Sequence, residues 1–332
     1  MTDLVAVARS LFAASKGILA ADESVATATK HLARYGISAG LEMRGKFRDL
    51  FLGAPDIAEY LSGVILFSET FDQRGKDRSL FPNSLAKRGI APGIKVDDGT
   101  EPFPPSPAEL VTKGLFGLPE RLTKYKKKGA TFTKWRAVFR IDGDSLPTAH
   151  AIHENAKRLA NYAKEAQMAG MVPILEPEVL YEGVHPRARA EAVLKETLSA
   201  LFATLEEHAV DRASLVLKTS MALSGKGSRR RDTPEEVAES TLAALRTAVP
   251  RQLAGIVFLS GGQSPEQATE NLAAIVRLSR ASRGAPWPLS FSFARALQEE
   301  ALAVWKGEDA NVGAAREVFL ARLKKVADAV RL

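Results

Sequence analysis

Eight short apolar runs alternate with helical patterns along this chain, and that alternation constrains its fold more than any other feature. The runs cover residues 17–22, 63–67, 93–97, 131–141, 172–179, 214–220, 255–260 and 288–293. Most are entered from Gly or Pro and are apolar throughout, as strands covered on both faces of a parallel sheet must be. Helical patterns between them include 148–168, 189–208, 233–248, 264–279 and 294–305. Thr233-Pro-Glu-Glu and Ser264-Pro-Glu-Gln place Pro at the first helical position and Glu or Gln at the third, which caps a helix start. Eight such alternations predict an α/β fold of the (β/α)8 TIM-barrel type. A doubly wound open sheet is the alternative, but no Gly-x-Gly-x-x-Gly follows any strand and no Walker-type loop is present. No linker or internal repeat divides the 332 residues, so 1–332 reads as one barrel domain. An opening helix capped by Thr2 or Asp3 and a last helix from about residue 310 would cover the barrel. The Gly- and Pro-rich residues 89–107 read as one long loop after the third strand.

No segment nears the roughly 20 unbroken apolar residues that a membrane helix needs. Arg9 interrupts the apolar N-terminus, so neither a membrane partner nor a signal peptide is expected. Cysteine is absent, which removes disulfides, thiolate zinc sites and cysteine nucleophiles together and fits a cytoplasmic location. The formal charge of +7 favours anionic partners, either phosphorylated metabolites or nucleic acid. Of two basic clusters, Lys126–Lys128 reads as the solvated face of a helix from Glu120. Arg229–Arg231 lies in a glycine-rich loop after the sixth strand, where it can border a site. Neither is interleaved with aromatics, so nucleic acid is not the primary partner.

Barrel active sites form at the C-terminal ends of the strands. Here those ends carry Asp22, Lys95 and Asp97, Lys134 and Arg136, Glu176 and Glu178, and Lys218. Residues two apart on a strand point to the same side, so each pair can direct both charges into one cavity. The inventory balances, four cations against four anions, as a buried cluster requires. Lys218 ends the run Ser-Leu-Val-Leu-Lys and is the candidate nucleophile. Lysine is the side chain whose pKa falls most readily on burial, and a neutral lysine attacks carbonyls to form Schiff bases. Taken alone, Lys218 reads first as a strand-end lysine that snorkels to water, and what overturns that reading is that the other strand-like runs end the same way.

The last two strand ends differ. Ser260-Gly261-Gly262 leads into a helix start, and Ala294-Arg295 follows the eighth strand. Barrels commonly hold phosphate at these loops through backbone N–H groups and a helix N-terminus, and Arg295 can add a bidentate contact. A substrate with a central ketone and phosphates at its ends fits this layout, and carbon–carbon cleavage through an imine unites its parts.

These residues resemble the class I fructose-1,6-bisphosphate aldolases of the animal and plant type. The resemblance runs from about Lys16 to about Gln298 and rests on ordered blocks. They are Lys16-Gly-Ile-Leu-Ala-Ala-Asp-Glu-Ser24, Gly93-Ile-Lys-Val-Asp97, Lys134-Trp-Arg136, Val172-Pro-Ile-Leu-Glu-Pro-Glu178, Leu217-Lys218, Leu259-Ser-Gly-Gly-Gln-Ser264 and Arg295-Ala-Leu-Gln298. The resemblance implies reversible cleavage of fructose 1,6-bisphosphate, with Lys218 forming the Schiff base at the C2 ketone. It further implies Glu176 as general acid/base with Glu178 close by, Lys134 as a like charge beside the amine, and Asp22 as acceptor of the C4 hydroxyl proton. Ser260, Gly261, Gly262, Ala294 and Arg295 correspond to the ketone-side phosphate site. Lys95, Ser24, Thr27 and Arg136 correspond to the aldehyde side. No metal or other cofactor is implied, because the protonated imine is the electron sink, and a homotetramer is.

The chain departs from the family pattern at Thr27 (usually Ser), His31 (usually Arg), Ala294 (usually Gly) and Thr219-Ser220 (usually Pro-Asn). It ends at Leu332 without the tyrosine tail of animal members, so cleavage is expected to persist, while the sequence names no proton donor for the enamine. The His31 and Ala294 changes bear on distal-phosphate specificity, and a related Schiff-base sugar-phosphate aldolase is the alternative. A metal-dependent enzyme would have to use the five histidines, of which His150 and His153 are close in sequence and read as solvated surface. Polyanion binding by the Arg229–Arg231 loop is expected only as a secondary property.

Overall fold

Period-two alternation sorts each strand's side chains between a barrel interior and a helical jacket. The computed structural model describes residues 3–13, 15–281 and 285–331. Its strands are β1 (Gly17–Ala21), β2 (Leu61–Leu66), β3 (Ala91–Lys95), β4 (Thr100–Phe103), β5 (Ser106–Thr112), β6 (Phe132–Phe139), β7 (Val172–Val179), β8 (Val216–Thr219), β9 (Gly255–Phe258) and β10 (Leu289–Phe293). All but β4 and β5 pair in parallel in the closed order β1-β10-β9-β8-β7-β6-β3-β2, which is the expected eight-stranded barrel. Where β10 meets β1, the Ser290 hydroxyl donates to the Lys16 carbonyl at 2.6 Å, 274 residues away in the chain.

The helices are α1 (Leu4–Ser10), α2 (Val25–Ala33), α3 (Leu41–Leu52), α4 (Ser68–Phe71), α5 (Phe81–Lys87), α6 (Leu118–Lys127), α7 (Ala149–Met168), α8 (Arg187–Glu207), α9 (Pro234–Ala248), α10 (Pro265–Ala281), α11 (Arg295–Trp305) and α12 (Val312–Ala329). Thr233 caps α9 in the expected capping box with Glu236. Asp3 caps α1, its side chain accepting from the Ala6 N–H at 3.0 Å, while Thr2 lies outside the described residues. Ala8 and Leu11 of this first segment plug the N-terminal end of the barrel against Ile18, Phe132 and Val172. The last helix, α12, packs over α11, α10 and α3 and so covers the jacket rather than a barrel end. No described helix is long and apolar enough to cross a membrane.

Ile18, Ala20, Ile65, Phe132, Ile174, Val216 and Val257 fill the interior, while the alternate positions Leu19, Val64, Ile94, Trp135, Leu175, Leu217 and Ile256 face the helices. The Phe132 ring takes the space that side chains at 93 would need: a Cβ on Gly93 would stand 2.1 Å from it. Gly93→Ala is therefore expected to overpack the interior and cost about 1–3 kcal/mol. That loss should appear as a lower urea midpoint at unchanged slope; an unchanged midpoint would show that the ring can retreat.

The structure corrects three expectations. Residues 89–107 are not one loop, because β3 occupies 91–95 and β4 then pairs antiparallel with β5 in a hairpin, Thr100 opposite Thr112. Pro102 and Pro107 hid these strands, yet proline is tolerated where a two-stranded ribbon leaves one edge free. The sixth run starts later than 214, since residues 212–214 form a 3-10 turn before β8. The Lys126–Lys128 cluster is not simply solvated: Lys126 donates to the Gly170 carbonyl at 2.6 Å, and Lys128 pairs with Asp72.

Candidate active site

The strand parity that buries apolar side chains low in the barrel carries charge into it at the top. Val172 and Ile174 are followed on the same side by Glu176 and Glu178, Phe132 by Lys134 and Arg136, Val216 by Lys218, and Ile18 and Ala20 by Asp22. Above the apolar layers opens a cavity of about 600 Å³. Asp22, Ser24, Thr27, Lys95, Lys134, Arg136, Glu176, Lys218 and Ala294 all line it.

A chain of alternating charges crosses its floor. Asp22 Oδ2 lies 2.6 Å from Lys134 Nζ, which lies 2.9 Å from Glu176 Oε2, and Glu176 Oε1 lies 3.0 Å from Lys218 Nζ. Both lysines are only 3% exposed. Isolated charges at such depth would be expensive, and alternation of sign offsets the cost. Burial alone would push Asp22 up, but Lys134 and Lys218 overcome it and hold the carboxyl at about 2. Burial opposes the Lys134 charge as well, yet Asp22 and Glu176 raise it above the ordinary lysine range. Glu176 is held below the usual carboxylate range, its burial outweighed by Lys134, Lys218 and Arg136. The resting site therefore holds two carboxylates in ionised form, one of them in hydrogen-bond reach of the Lys218 amine.

A second network stands beside the first. Arg136 Nε lies 2.5 Å from Glu178 Oε2, so Glu178 is buried behind Arg136 and does not line the cavity. Lys95 Nζ is 2.5 Å from Asp97 Oδ1 and 2.8 Å from the Asp97 carbonyl. Asp97 in turn accepts from the main-chain N–H groups of Gly99 and Arg136. At the distal end, the Ser24 and Thr27 hydroxyls stand 3.0 Å apart where Ser24 caps α2.

Ser260, Gly261, Gly262 and Arg295 are not along this wall but at the neighbouring β9 and β10 loops. Gly261 and Gly262 adopt φ of +58° and +95°, which a residue with a Cβ rarely reaches. A Cβ on Gly262 would lie 3.4 Å from Arg295 Nη2, so the turn and the guanidinium are adjacent. Ala294 lines the cavity just before Arg295. Sequence reasoning missed Gln263, which braces the turn by donating to the Ser260 carbonyl at 3.0 Å while accepting from Asn271 at 2.7 Å. It also missed Arg121 and Tyr125, which α6 brings to the cavity, and Glu23, whose place in the Asp22–Ser24 run was the available signal.

His31 is buried between Tyr35 and Phe47, away from the cavity, and burial lowers its pKa. The Arg229–Arg231 loop stays outside the cavity wall, with Arg230 paired to Glu236 and Arg231 donating to the Lys226 carbonyl. His150 and His153 are exposed, as expected. No three metal-ligating side chains converge among the described residues.

The family model described as fructose-bisphosphate aldolase class-I matches residues 3–331. A probable fructose-bisphosphate aldolase class 1 of Xanthomonas campestris pv. campestris is 44% identical over 323 residues, covering 97% of this chain and 95% of the relative. Fructose-bisphosphate aldolase B of Mus musculus is 44% identical, over 96% of this chain and 87% of its own length. A solved structure of fructose-bisphosphate aldolase from Plasmodium falciparum, in complex with TRAP and a small-molecule inhibitor, superposes with a TM-score of 0.95 at 41% identity. It covers 99% of this chain and 94% of that one.

Proposed function

Since the chain belongs to the class I fructose-bisphosphate aldolase family, we propose that its residues carry out the family's reaction with Lys218 as the imine-forming nucleophile. That reaction is the reversible aldol cleavage of fructose 1,6-bisphosphate to dihydroxyacetone phosphate and glyceraldehyde 3-phosphate, and the enzyme is a carbon–carbon lyase of glycolysis. The observation that carries the assignment is the 3.0 Å contact between Lys218 Nζ and Glu176.

Glu176 accepts a proton from the Lys218 nitrogen, and the amine attacks the C2 carbonyl carbon to form a C–N bond. The same carboxyl, now protonated, gives that proton to the C2 oxygen and then relays a second one from the new C–N nitrogen to the resulting hydroxyl, which leaves as water as the nitrogen lone pair closes the protonated imine. Lys134, ion-paired with both Asp22 and Glu176, keeps these carboxylates ionised in the resting site and stabilises the carbinolamine oxygen. Asp22 takes the C4 hydroxyl proton as the C3–C4 bond breaks, and the bonding pair moves into the imine as the aldehyde departs. Glu178 fixes Arg136 through their 2.5 Å contact. Protonation of the enamine and hydrolysis of the imine release the ketone product and restore Lys218.

The positive-φ Gly261–Gly262 turn, Ser260, Ala294 and Arg295 favour the ketone-side phosphate. Lys95, Ser24, Thr27 and Arg136 favour the aldehyde side, 1–332 acting as one domain. A homotetramer in the cytoplasm is the assembly and location we assign, the latter in keeping with an Arabidopsis thaliana relative named cytosolic.

Borohydride reduction in the presence of dihydroxyacetone phosphate tests the assignment. Peptide mass spectrometry should place the reduced adduct on Lys218, and cleavage should proceed at the same rate in excess EDTA. An adduct on another lysine, or a rate that collapses with the chelator, would overturn it.

A further inference from the structure

Three consecutive residues, Asp22, Glu23 and Ser24, join β1 to α2 without belonging to either element, and all three line the cavity. Such a connection has no ladder of its own to fix it. Lys134 holds its first residue and the Thr27 N–H holds its last. The middle is gripped from α3 by Arg48, which is 3% exposed. One Arg48 nitrogen pairs with the Glu23 carboxylate, and Nη2 donates to the Glu23 carbonyl at 2.7 Å. The guanidinium carbon stands 4.8 Å from the Phe47 ring centroid, which limits where the fork can point.

Burying a guanidinium is expensive, and this one is not fully repaid: Arg48 Nε and Glu23 Oε1 have no hydrogen-bond partner among the described residues. A purely structural role would be served as well by an apolar side chain of similar volume. What an arginine adds is a planar fork that reaches a side chain and a main-chain carbonyl together. The carbonyl bond fixes the peptide plane between Glu23 and Ser24, and with it the aim of the flanking side chains.

We infer that Arg48 is a positioning residue, which holds the Asp22–Ser24 turn in register with the distal half of the substrate. The inference rests on the roles proposed above for Asp22 at the C4 hydroxyl and for Ser24 and Thr27 at the distal phosphate. It separates two reactions of the same site. Imine formation with dihydroxyacetone phosphate calls on Lys218, Glu176, Lys134 and the near phosphate loop. Cleavage of the bisphosphate also needs the turn.

Arg48→Lys keeps the charge and most of the stem but cannot engage both acceptors as a fork. Borohydride trapping with dihydroxyacetone phosphate should stay within about twofold of the parent. The kcat/KM for fructose 1,6-bisphosphate should fall about 100-fold, as small misplacements of reacting groups do. Glu23→Gln, which keeps the shape and the main-chain carbonyl, should show the same pattern more weakly, and it decides the matter by the same two rates if Arg48→Lys does not fold. Cleavage at the parental rate, or trapping and cleavage falling in step, would overturn the inference. Failure of the parent protein to be trapped at all would instead count against the proposed function.

Discussion

Replacing Lys218 by methionine should end imine formation and aldol cleavage while leaving a folded barrel. The methionine stem fills nearly the same volume, and Glu176 keeps its 2.9 Å partner Lys134, so the floor of the cavity retains a paired carboxylate. Without the amine no electron sink forms, and kcat should drop by a factor on the order of 10⁴–10⁶. Borohydride trapping should vanish with it. The informative failure would be a variant that still cleaves at a few per cent of the parental rate with an adduct on Lys134, the other lysine in reach of Glu176. The nucleophile would then have been misassigned between two amines of one network.

Lys134→Met should be the most destabilising single change in the site. It leaves Asp22 and Glu176 as buried anions with Lys218 as the remaining cation of that ion-pair chain. Breaking a buried pair from one side costs about 3–5 kcal/mol at neutral pH. The pH dependence has a definite sign. In the parent, Asp22 is held at about 2 against an ordinary 3.8, so its contribution is complete above 3.8 and is lost as the pH falls through about 2. Glu176, also depressed, acts in the same direction. In the variant, burial is no longer outweighed and at least one carboxyl is pushed up. Its folded form then binds a proton more readily than the unfolded chain, so the variant's deficit is largest at high pH and shrinks on acidification. Urea midpoints of parent and variant at pH 7.5 and pH 5 measure this directly. A deficit of the same size at both pH values would mean that lost packing, not unpaired charge, sets the cost.

Much of the site was legible because strand parity is a local property. Once 172–179 is a strand, Val172, Ile174, Glu176 and Glu178 must share a side, and the apolar members decide that the side is inward. The same logic places Lys134 behind Phe132 and Lys218 behind Val216. Parity does not say how far a side chain reaches, and so Glu178, read as a neighbour of the chemistry, lies behind Arg136. The hairpin of β4 and β5 escaped because its prolines mimic a loop, and its apolar contact with the helical jacket is confined to a small cluster of Phe103 and Val111 against Ala151. Arg121, Tyr125 and Arg48 escaped for a different reason. They come from helices whose docking on the barrel follows from packing, and no spacing in the sequence relates Arg48 to Glu23, 25 positions away. His31 looked like a missing phosphate contact, whereas Tyr35 and Phe47 make it part of the helical jacket.

The seam at which Ser290 meets Lys16 bears on how the chain is made. In a chain made from its N-terminus, β2 is available to β1 long before β10, so the other edge of β1 must wait for β10. At ribosomal rates of about 5–20 residues per second, the separation of 274 positions means a delay of roughly 14–55 s. Through that interval β1 presents a row of open main-chain donors and acceptors, and the half-built sheet has a second such row at its newest strand. Ring closure is thus a late, long-range event, slow to nucleate because nearly the whole chain must be looped before it is rewarded. Nascent chains stalled before residue 289 have no way to seal that edge and are the ones most in need of a chaperone.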